Sequence, residues 1–507
     1  MTARALLDAL AQAWPATQPP PVMPAVADAA LDALCTAVVH DSRAARPGSV
    51  FVALSGQKAD GVTFVTQAVA AGAIAVVAER PAPGGFSAPW IEVADARLAL
   101  ALLSAEFFGH PSREMQVVGV TGTNGKTTTS YVAQSIFEAA GVRCGLMGTV
   151  TYRIGDRDVA ATRTTPEAPD VHALMRQMVN AGCKACVMEV SSHALTMRRT
   201  DGIHFAAGVF TNLTRDHLDF HRDMEDYFAA KRRLFEMLPP DAPALINADD
   251  PRAAALVSMT QRPVTYAVHK DADITPGPLS FTLRGLEFDA RLPQGVLHVK
   301  SKLVGKPNVY NILAASGATA ALGVPVRAIE QGVESLSGVP GRFEVVSSAW
   351  DDITVVVDYA HTDDALRNLL ETARSLAPRR LVTVFGAGGE RDRTKRPLMG
   401  MVATRLSDVV VITSDNPRGE DPERIIDEVR RGAEPATRPG AAEVVVIADR
   451  RDAIAWATSH AESGDVVLVA GKGHEKYQEI AGCVLPFDDV VVAREGLEAR
   501  RVKSRVG

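Results

Sequence analysis

Cysteine is scarce in this sequence: five in 507 residues (Cys35, Cys144, Cys183, Cys186 and Cys483), odd in number and scattered. That excludes the disulfide framework of a small secreted domain and predicts reduced thiols. Cys183-Lys184-Ala185-Cys186 has redox or zinc-ligand spacing, but no second pair accompanies it, and a zinc site wants four ligands. An excess of positive charge is also missing. The formal net charge of −6 argues against a generic binder of nucleic acid or anionic membrane, while leaving room for a local basic phosphate site. Long hydrophobic runs are absent. The longest, Ala68 to Ala78, contains Gly72 and falls far short of the ~20 residues a membrane-spanning helix needs. Met1 to Trp14 is interrupted by Asp8 and reads as an amphipathic helix rather than a signal peptide. A cytoplasmic enzyme with small-molecule substrates is the expectation. Neither short-period repeats nor low-complexity segments are evident, only a turn at Pro19-Pro20-Pro21.

What is present is enough apolar material for several cores. The 507 residues, 47% of them hydrophobic, suggest roughly three domains at ~150 residues each. Turn-formers at Gly109 to Arg113 and at Ser335 to Gly341 divide the chain into 1–112, 113–338 and 339–507. In the second segment, strand-like runs (Val117–Val120, Ala185–Val190, Ala206–Phe210, Ala244–Asn247) alternate with helical ones, including a helix after Lys126 and another near Met224–Met237. The third restarts the pattern at Val355–Asp358, Leu381–Phe385, Val409–Thr413, Val444–Ala448 and Val466–Ala470. Such alternation predicts an α/β fold: a central P-loop-type mononucleotide-binding sheet and a C-terminal, Rossmann-like doubly wound sheet, with functional residues beyond the C-terminal ends of strands.

Val117 to Thr129, an apolar strand running through Thr121-Gly122-Thr123-Asn124-Gly125-Lys126-Thr127-Thr128 into a helix-forming segment, reads as a phosphate cradle. Glycines admit backbone N–H groups to an anion, the helix presents its positive end, Lys126 adds a charge, and the Thr127 hydroxyl suits Mg²⁺. It is a variant loop, with Val120 where the general pattern has glycine. Glu189, 63 residues after Lys126, follows a buried strand, where a carboxylate can hold Mg²⁺. Thr211 to His221 packs His217, His221, Asp216 and Asp219 together, although a single local cluster does not fix a metal site. Lys231 lies within an amphipathic helix, where a solvated or snorkelling lysine is the default reading. Asp415-Asn416-Pro417-Arg418 after an apolar strand is, taken alone, a turn before a helix starting at Pro422.

Together with Asp41-Ser42-Arg43, Phe51 to Leu54, Asp60-Gly61, Thr164-Thr165-Pro166, Glu189 to His193 and Asp358-Tyr359-Ala360-His361-Thr362, these motifs resemble the Mur ligase superfamily. Its members are ATP-dependent enzymes that join an amino acid or peptide to a carboxylate. Within the family the motifs look like the branch that adds meso-2,6-diaminopimelate to UDP-N-acetylmuramoyl-L-alanyl-D-glutamate in peptidoglycan precursor synthesis, a step tied to cell shape and division. The resemblance implies that Ser42, Arg43, Thr164, Thr165, Ser191 and Arg199 contact the UDP substrate. It implies ATP binding by Gly122, Thr123, Asn124, Gly125, Lys126, Thr127 and Thr128, with Asn308, Arg342 and Asp358 bordering the adenosine. Thr127 and Glu189 would hold one Mg²⁺; His217 and a carbamylated Lys231 would hold a second. His361 or a bound carboxylate is the candidate for proton removal. Arg391, Asp415, Asn416, Pro417, Arg418, Gly471 and Glu475 would take diaminopimelate, Arg418 gripping the distal carboxylate in bidentate fashion and Asp415 or Glu475 receiving the ammonium. A monomer without nucleic-acid or membrane partners is expected. Four positions depart from the family pattern: Arg163 and Met197 stand where many relatives have Asn and Gln, and Ala387 and Glu390 alter the motif before Arg391. Rival readings are a Mur-type ligase for lysine, a dipeptide or folate, and a nucleotide-binding regulator that has lost turnover.

Overall fold

The computed structural model describes residues 1–23, 29–56, 59–433 and 441–506. The amphipathic N-terminal helix forms over Ala3–Ala13, with Thr2 accepting from the Ala5 amide at 3.2 Å as its cap and Leu6, Leu7 and Leu10 buried. It packs on a sheet of four parallel strands, Ala37–Val39, Ser49–Ala53, Ala73–Ala78 and Trp90–Glu92, in sequence order. The apolar run around Gly72 therefore splits into a helix, Val65–Ala70, and a strand, with Gly72 turning the chain at φ 105°.

The central sheet has eight strands, running spatially Pro263–Tyr266, Ala244–Asn247, Ala207–Phe210, Gln116–Thr121, Ala185–Glu189, Cys144–Met147, Thr151–Ile154 and Arg157–Ala160. The first six are mutually parallel; the last two add an antiparallel edge. Its inner strands are largely apolar because both faces are covered. Val118, Val120, Val187, Val209 and Leu245 enter one core, and Val117, Cys186, Met188, Phe210 and Ile246 enter the other. The cysteine pair belongs to this packing: Cys144, Cys183 and Cys186 are buried and free, and burial pushes the thiols up.

The third sheet has six strands, Glu344–Val345, Thr354–Asp358, Val466–Ala470, Leu381–Phe385, Val409–Ile412 and Glu443–Val446, of which the first is antiparallel and the rest parallel. Two apolar clusters, one on each face, make it doubly wound: Val355, Val357, Val382 and Val384 point one way and Val356, Phe385, Val410 and Ile412 the other. Among the described residues no helix is long and apolar enough to cross a membrane.

Two elements were not expected. Thr275–Pro276, Ser280–Thr282, Gly285–Leu292 and Gly295–Ser301 form an antiparallel sheet. Its buried Leu286, Phe288, Ala290 and Leu292 join the same core as Ile312, Ile329 and Val333. Tyr477–Ile480 and Cys483–Pro486 form a hairpin against the third unit's loops, with the Arg418 amide donating to the Glu479 carbonyl at 3.0 Å.

Candidate active site

The phosphate loop leaves the strand Gln116–Thr121 and enters the helix Lys126–Ala139. Gly122 and Gly125 adopt φ of 145° and 87°. A Cβ at Gly122 would lie 1.9 Å from Thr211 Oγ1 and one at Gly125 2.4 Å from Asn311 Oδ1, so neither position admits a side chain. The loop is fastened to the segment after the strand Ala207–Phe210. The Thr123 amide donates to the Asn212 carbonyl (2.8 Å), the Asn124 amide to Asn212 Oδ1 (2.9 Å), and Thr211 Oγ1 to the Asn124 carbonyl (2.7 Å). Lys126 Nζ donates to the carbonyls of Gly122 (3.0 Å) and Thr123 (2.9 Å). Burial lowers its pKa, while Glu189 and Asp216 act in the opposite sense.

Glu189 ends its strand buried beside this loop. It accepts from Thr127 Oγ1 (3.0 Å), the Thr149 amide (2.8 Å) and Thr149 Oγ1 (3.0 Å). Gly148 makes room, since a Cβ there would lie 2.3 Å from Glu189 Oε1. Paired hydroxyl and carboxylate oxygens next to a phosphate cradle are a donor set that fits Mg²⁺, with phosphate and water completing its shell. Among the described residues no three His, Cys, Asp or Glu side chains group as a metal cage, so protein ligands alone do not close such a site.

His217 sits at φ 55°, its amide donating to Asp216 Oδ1 (2.9 Å) and its ring edge-on to His193, with centroids 4.9 Å apart. Burial pushes His217 down, against Asp216; Asp216 stays below the usual carboxylate range despite its own burial, through His217, His361 and Lys395. Lys231, on the helix Met224–Glu236, is 1% exposed. Its Nζ donates to the Gly122 carbonyl (2.6 Å) and lies 4.4 Å from the Tyr227 ring centroid. Burial, then the nearby Lys126 charge, lowers its pKa strongly. The bland alternative of a solvated lysine is excluded by this burial.

Residues of the third unit close over the loop. Arg342 Nη2 donates to Thr127 Oγ1 (3.2 Å) and its guanidinium lies 4.5 Å from the Tyr359 ring centroid. Asn124 Nδ2 donates to Asp364 Oδ2 (3.0 Å), and Arg215 pairs with Asp392 at 3.6 Å. Asp358 accepts from the amides of Phe343 (2.6 Å) and Ala360 (2.8 Å). Asn308 lies on the helix Lys306–Ala321, accepting from Asn311 Nδ2 (2.9 Å). His361 Nδ1 lies 2.9 Å from the Tyr359 carbonyl, which only accepts, so the proton sits on Nδ1 and Nε2 keeps a lone pair. Burial and then Lys395 lower its pKa to about 4.

The expected dipeptide contacts divide between the end of the Glu189 strand and Glu167. Thr164 Oγ1 meets Thr149 Oγ1 (3.1 Å), Thr165 Oγ1 donates to the Glu189 carbonyl (2.8 Å), and Ser191 caps the short helix Ser192–Thr196. Arg199 Nη1 donates to the Thr165 carbonyl (3.1 Å) and Nη2 pairs with Glu167 (2.6 Å). Ser42 and Arg43 stand in the N-terminal unit, Ser42 Oγ on Gln67 (3.0 Å) and Arg43 exposed and paired with Asp41 (2.7 Å).

Asp415 to Arg418 follows the strand Val409–Ile412, and a helix does begin at Pro422, capped by Asp421. The turn and specificity readings are thus compatible. Asn416 Nδ2 and Lys472 Nζ both donate to Glu475 Oε2 (2.8 and 3.0 Å), and Lys472 also to Asn416 Oδ1 (2.8 Å). Arg418, at φ 52°, donates through Nη1 to the Gly389 carbonyl (2.7 Å). Asp415 is buried, and its Oδ2 has no partner. Gly471 opens space there, a Cβ lying 2.5 Å from that oxygen. Arg391 donates to the Glu390 carbonyl (3.1 Å). Sequence reasoning missed Thr149, Asn212, Tyr227, Asp364 and Lys472, which act through long-range contacts. Asn212, Tyr227 and Lys472 lie within the segments that hold His217, Lys231 and Glu475, so only Thr149 and Asp364 were without a local signal.

Comparison with known proteins shows the family. Residues 35–108 match the model of the Mur ligase family, catalytic domain; 120–319 match the Mur ligase middle domain; 341–473 match the Mur ligase, glutamate ligase domain. A curated UDP-N-acetylmuramoyl-L-alanyl-D-glutamate--2,6-diaminopimelate ligase of Solibacter usitatus is 46% identical, over 91% of this chain and 93% of its own length. The protein of the same name in Geobacillus thermodenitrificans is 44% identical, over 92% and 95%. A solved structure of a protein bearing that name superposes with a TM-score of 0.66 at 35% identity, covering 92% of this chain and 95% of the other.

Proposed function

The chain belongs to the Mur ligase family, and from that premise we propose that it joins meso-2,6-diaminopimelate to UDP-N-acetylmuramoyl-L-alanyl-D-glutamate at the expense of ATP. The observation that carries this reading is the closure of the third unit on the phosphate loop, Arg342 donating to Thr127 and Asn124 to Asp364, with His361 and Lys395 feeling both Asp216 of the central unit and Asp415. Units 1–112, 113–338 and 339–507 would bring the UDP substrate, ATP and the amino acid respectively. A cytoplasmic monomer fits the reading.

A side-chain carboxylate oxygen of the D-glutamate attacks the γ-phosphorus of ATP; an oxygen–phosphorus bond forms, the bond to the bridging oxygen breaks, and ADP leaves with that electron pair. Lys126, released from two loop carbonyls, takes a phosphate oxygen, so the polyanion meets a preformed charge. Thr127 and Glu189 would hold one Mg²⁺ and His217 with carbamylated Lys231 another, and bound Mg²⁺ supplies neutralisation of phosphate charge. Burial, and then the Lys126 charge, disfavours the protonated Lys231 amine, and the neutral amine is the form that adds carbon dioxide. The diaminopimelate amine then attacks the acyl carbon, the carbon–oxygen bond to the phosphate group breaks from the tetrahedral intermediate, and phosphate departs with that electron pair. The amine proton goes to His361 Nε2, whose lone pair is free because Nδ1–H is held by Tyr359. Arg418 grips the distal carboxylate and Asp415 Oδ2 the distal ammonium. Wild-type protein with ATP and Mg²⁺ should release phosphate only when both the UDP-dipeptide and an amino acid are present, with a product mass equal to their sum less water; release independent of either would sink the reading.

A further inference from the structure

Arg163 and Met197 are where this chain leaves its family's pattern; Met197 touches Arg199, and Arg163 shares its carboxylate partner. Arg163 Nη1 and Arg199 Nη2 lie 2.5 and 2.6 Å from the same oxygen, Glu167 Oε1. Met197 Sδ accepts from Arg199 Nη2 at 3.4 Å. The Arg163 backbone is held as well, its carbonyl accepting from Tyr152 OH (2.5 Å) and its amide donating to that oxygen (3.0 Å). Its guanidinium is half exposed, whereas Arg199 is buried with an Nε–H that has no acceptor. Two arginine forks thus converge on one carboxylate, and one of them still has a donor to satisfy.

The charges around this point do not cancel. Arg97, Arg163 and Arg199 act on the cluster against Glu167 and Asp170, with His40 of the N-terminal unit facing both acids. Arg97, Arg163 and Arg199 are three cations against these two anions, and Arg163 supplies the excess over the pairs. A buried anion with no cation to meet it is costly, so the surplus decides whether one more carboxylate can be accommodated.

We propose that Arg163 and Arg199 form a two-arginine clamp for the carboxylate of the D-glutamate that does not react, with Glu167 holding both forks in place until the substrate arrives. The inference rests on the reading of the substrate as a UDP-muramoyl dipeptide ending in a dicarboxylic acid. One carboxylate must reach the γ-phosphate, leaving the other to be bound near Thr164, Thr165 and Arg199. In place of the neutral Asn and Gln of many relatives, this chain has a charged fork and an apolar sulfur. Its binding of the spectator carboxylate is therefore ionic, and discrimination against an uncharged analogue follows.

The test uses full-length protein and two substrates: UDP-N-acetylmuramoyl-L-alanyl-D-glutamate and its analogue with the α-carboxylate converted to carboxamide. Arg163→Ala should raise KM for the natural substrate roughly 10- to 100-fold, the scale of one lost charge-assisted hydrogen bond, with kcat and the KM of ATP little changed. It should also erase the wild-type preference for carboxylate over carboxamide, and Arg163→Lys should restore part of it. An exposed structural ion pair with Glu167 would leave that preference intact. An unchanged KM, or a preference that survives in Arg163→Ala, overturns the clamp while the ligase reading stands. Failure of the wild type to bind the UDP-dipeptide at all, seen by calorimetry without ATP, overturns the reading and the clamp together.

Discussion

The phosphate loop and the amino-acid loop both hang from the C-terminal ends of parallel strands, yet they store charge in opposite ways. At the phosphate loop, Lys126 and Lys231 converge on one carbonyl, that of Gly122, and Arg342 approaches Thr127; Glu189 is the facing anion. Cations held on backbone dipoles form a site that gains most when a polyanion arrives. At Asp415 to Arg418, Lys472, Asn416 and Glu475 close a network among themselves. What remains is the Arg418 guanidinium, held by the Gly389 carbonyl and by Glu479 at 3.4 Å, and one buried carboxylate oxygen, Asp415 Oδ2, without a partner. That arrangement matches a zwitterionic side chain rather than an anion. On the proposed function, the first loop would supply catalysis and the second selection.

Lys126→Ala should break the first half of the comparison outright, lowering ATP turnover by roughly 10³-fold or more, as a steady-state phosphate assay would show. Lys231→Met should cost comparable turnover yet stabilise the fold. The folded-state pKa of Lys231 lies well below its ordinary 10.5, so the unfolded chain binds the proton more tightly and the lysine costs stability at neutral pH. Chemical denaturation at pH 7 should show a gain on the order of 1 kcal/mol, shrinking as pH approaches 10.5. Arg418→Ala should leave the phosphate loop alone and raise KM for diaminopimelate roughly 100-fold, while Arg418→Lys recovers little because a point charge does not reproduce the fork. An equal rise in the KM of the UDP substrate would contradict the division of labour.

The smallest effect concerns His361, between the two loops. With its pKa at about 4 in the fold against an ordinary 6.5, it contributes a loss of stability that begins as pH falls below 6.5 and is complete below 4. His361→Gln should flatten that part of the stability–pH curve by on the order of 1 kcal/mol.

The sequence carried the parallel strands and the loops at their ends because both faces of those sheets are buried and glycine positions are dictated by close approach. The strand Leu381–Phe385 and the strand Val466–Ala470 fall where their apolar runs predict, and the helix after the phosphate loop begins at Lys126. The antiparallel sheet around Gly285–Leu292 was also legible in principle: Leu286, Phe288, Ala290 and Leu292 alternate with Glu287, Asp289 and Arg291. Its signal is a period of two, unlike the continuous runs around it. Thr149 was not legible, since a threonine in a turn gains its place only when the strand Cys144–Met147 pairs with Ala185–Glu189 and sets it against Glu189. Asp364 was hidden for the same reason, its partner Asn124 lying far away in the chain, and Glu167 was half hidden: Arg163 stands four residues before it, but Arg199 comes from a distant segment.

The account stands most directly on the choice of amino acid. Purified protein with ATP, Mg²⁺ and UDP-N-acetylmuramoyl-L-alanyl-D-glutamate should be offered meso-diaminopimelate and L-lysine in parallel, with products identified by mass. Ligation of diaminopimelate with lysine left untouched is the predicted result. Equal or preferred ligation of lysine would contradict the role given to Arg418 and Asp415, and with it the contrast between a loop built for a polyanion and a loop built for a zwitterion.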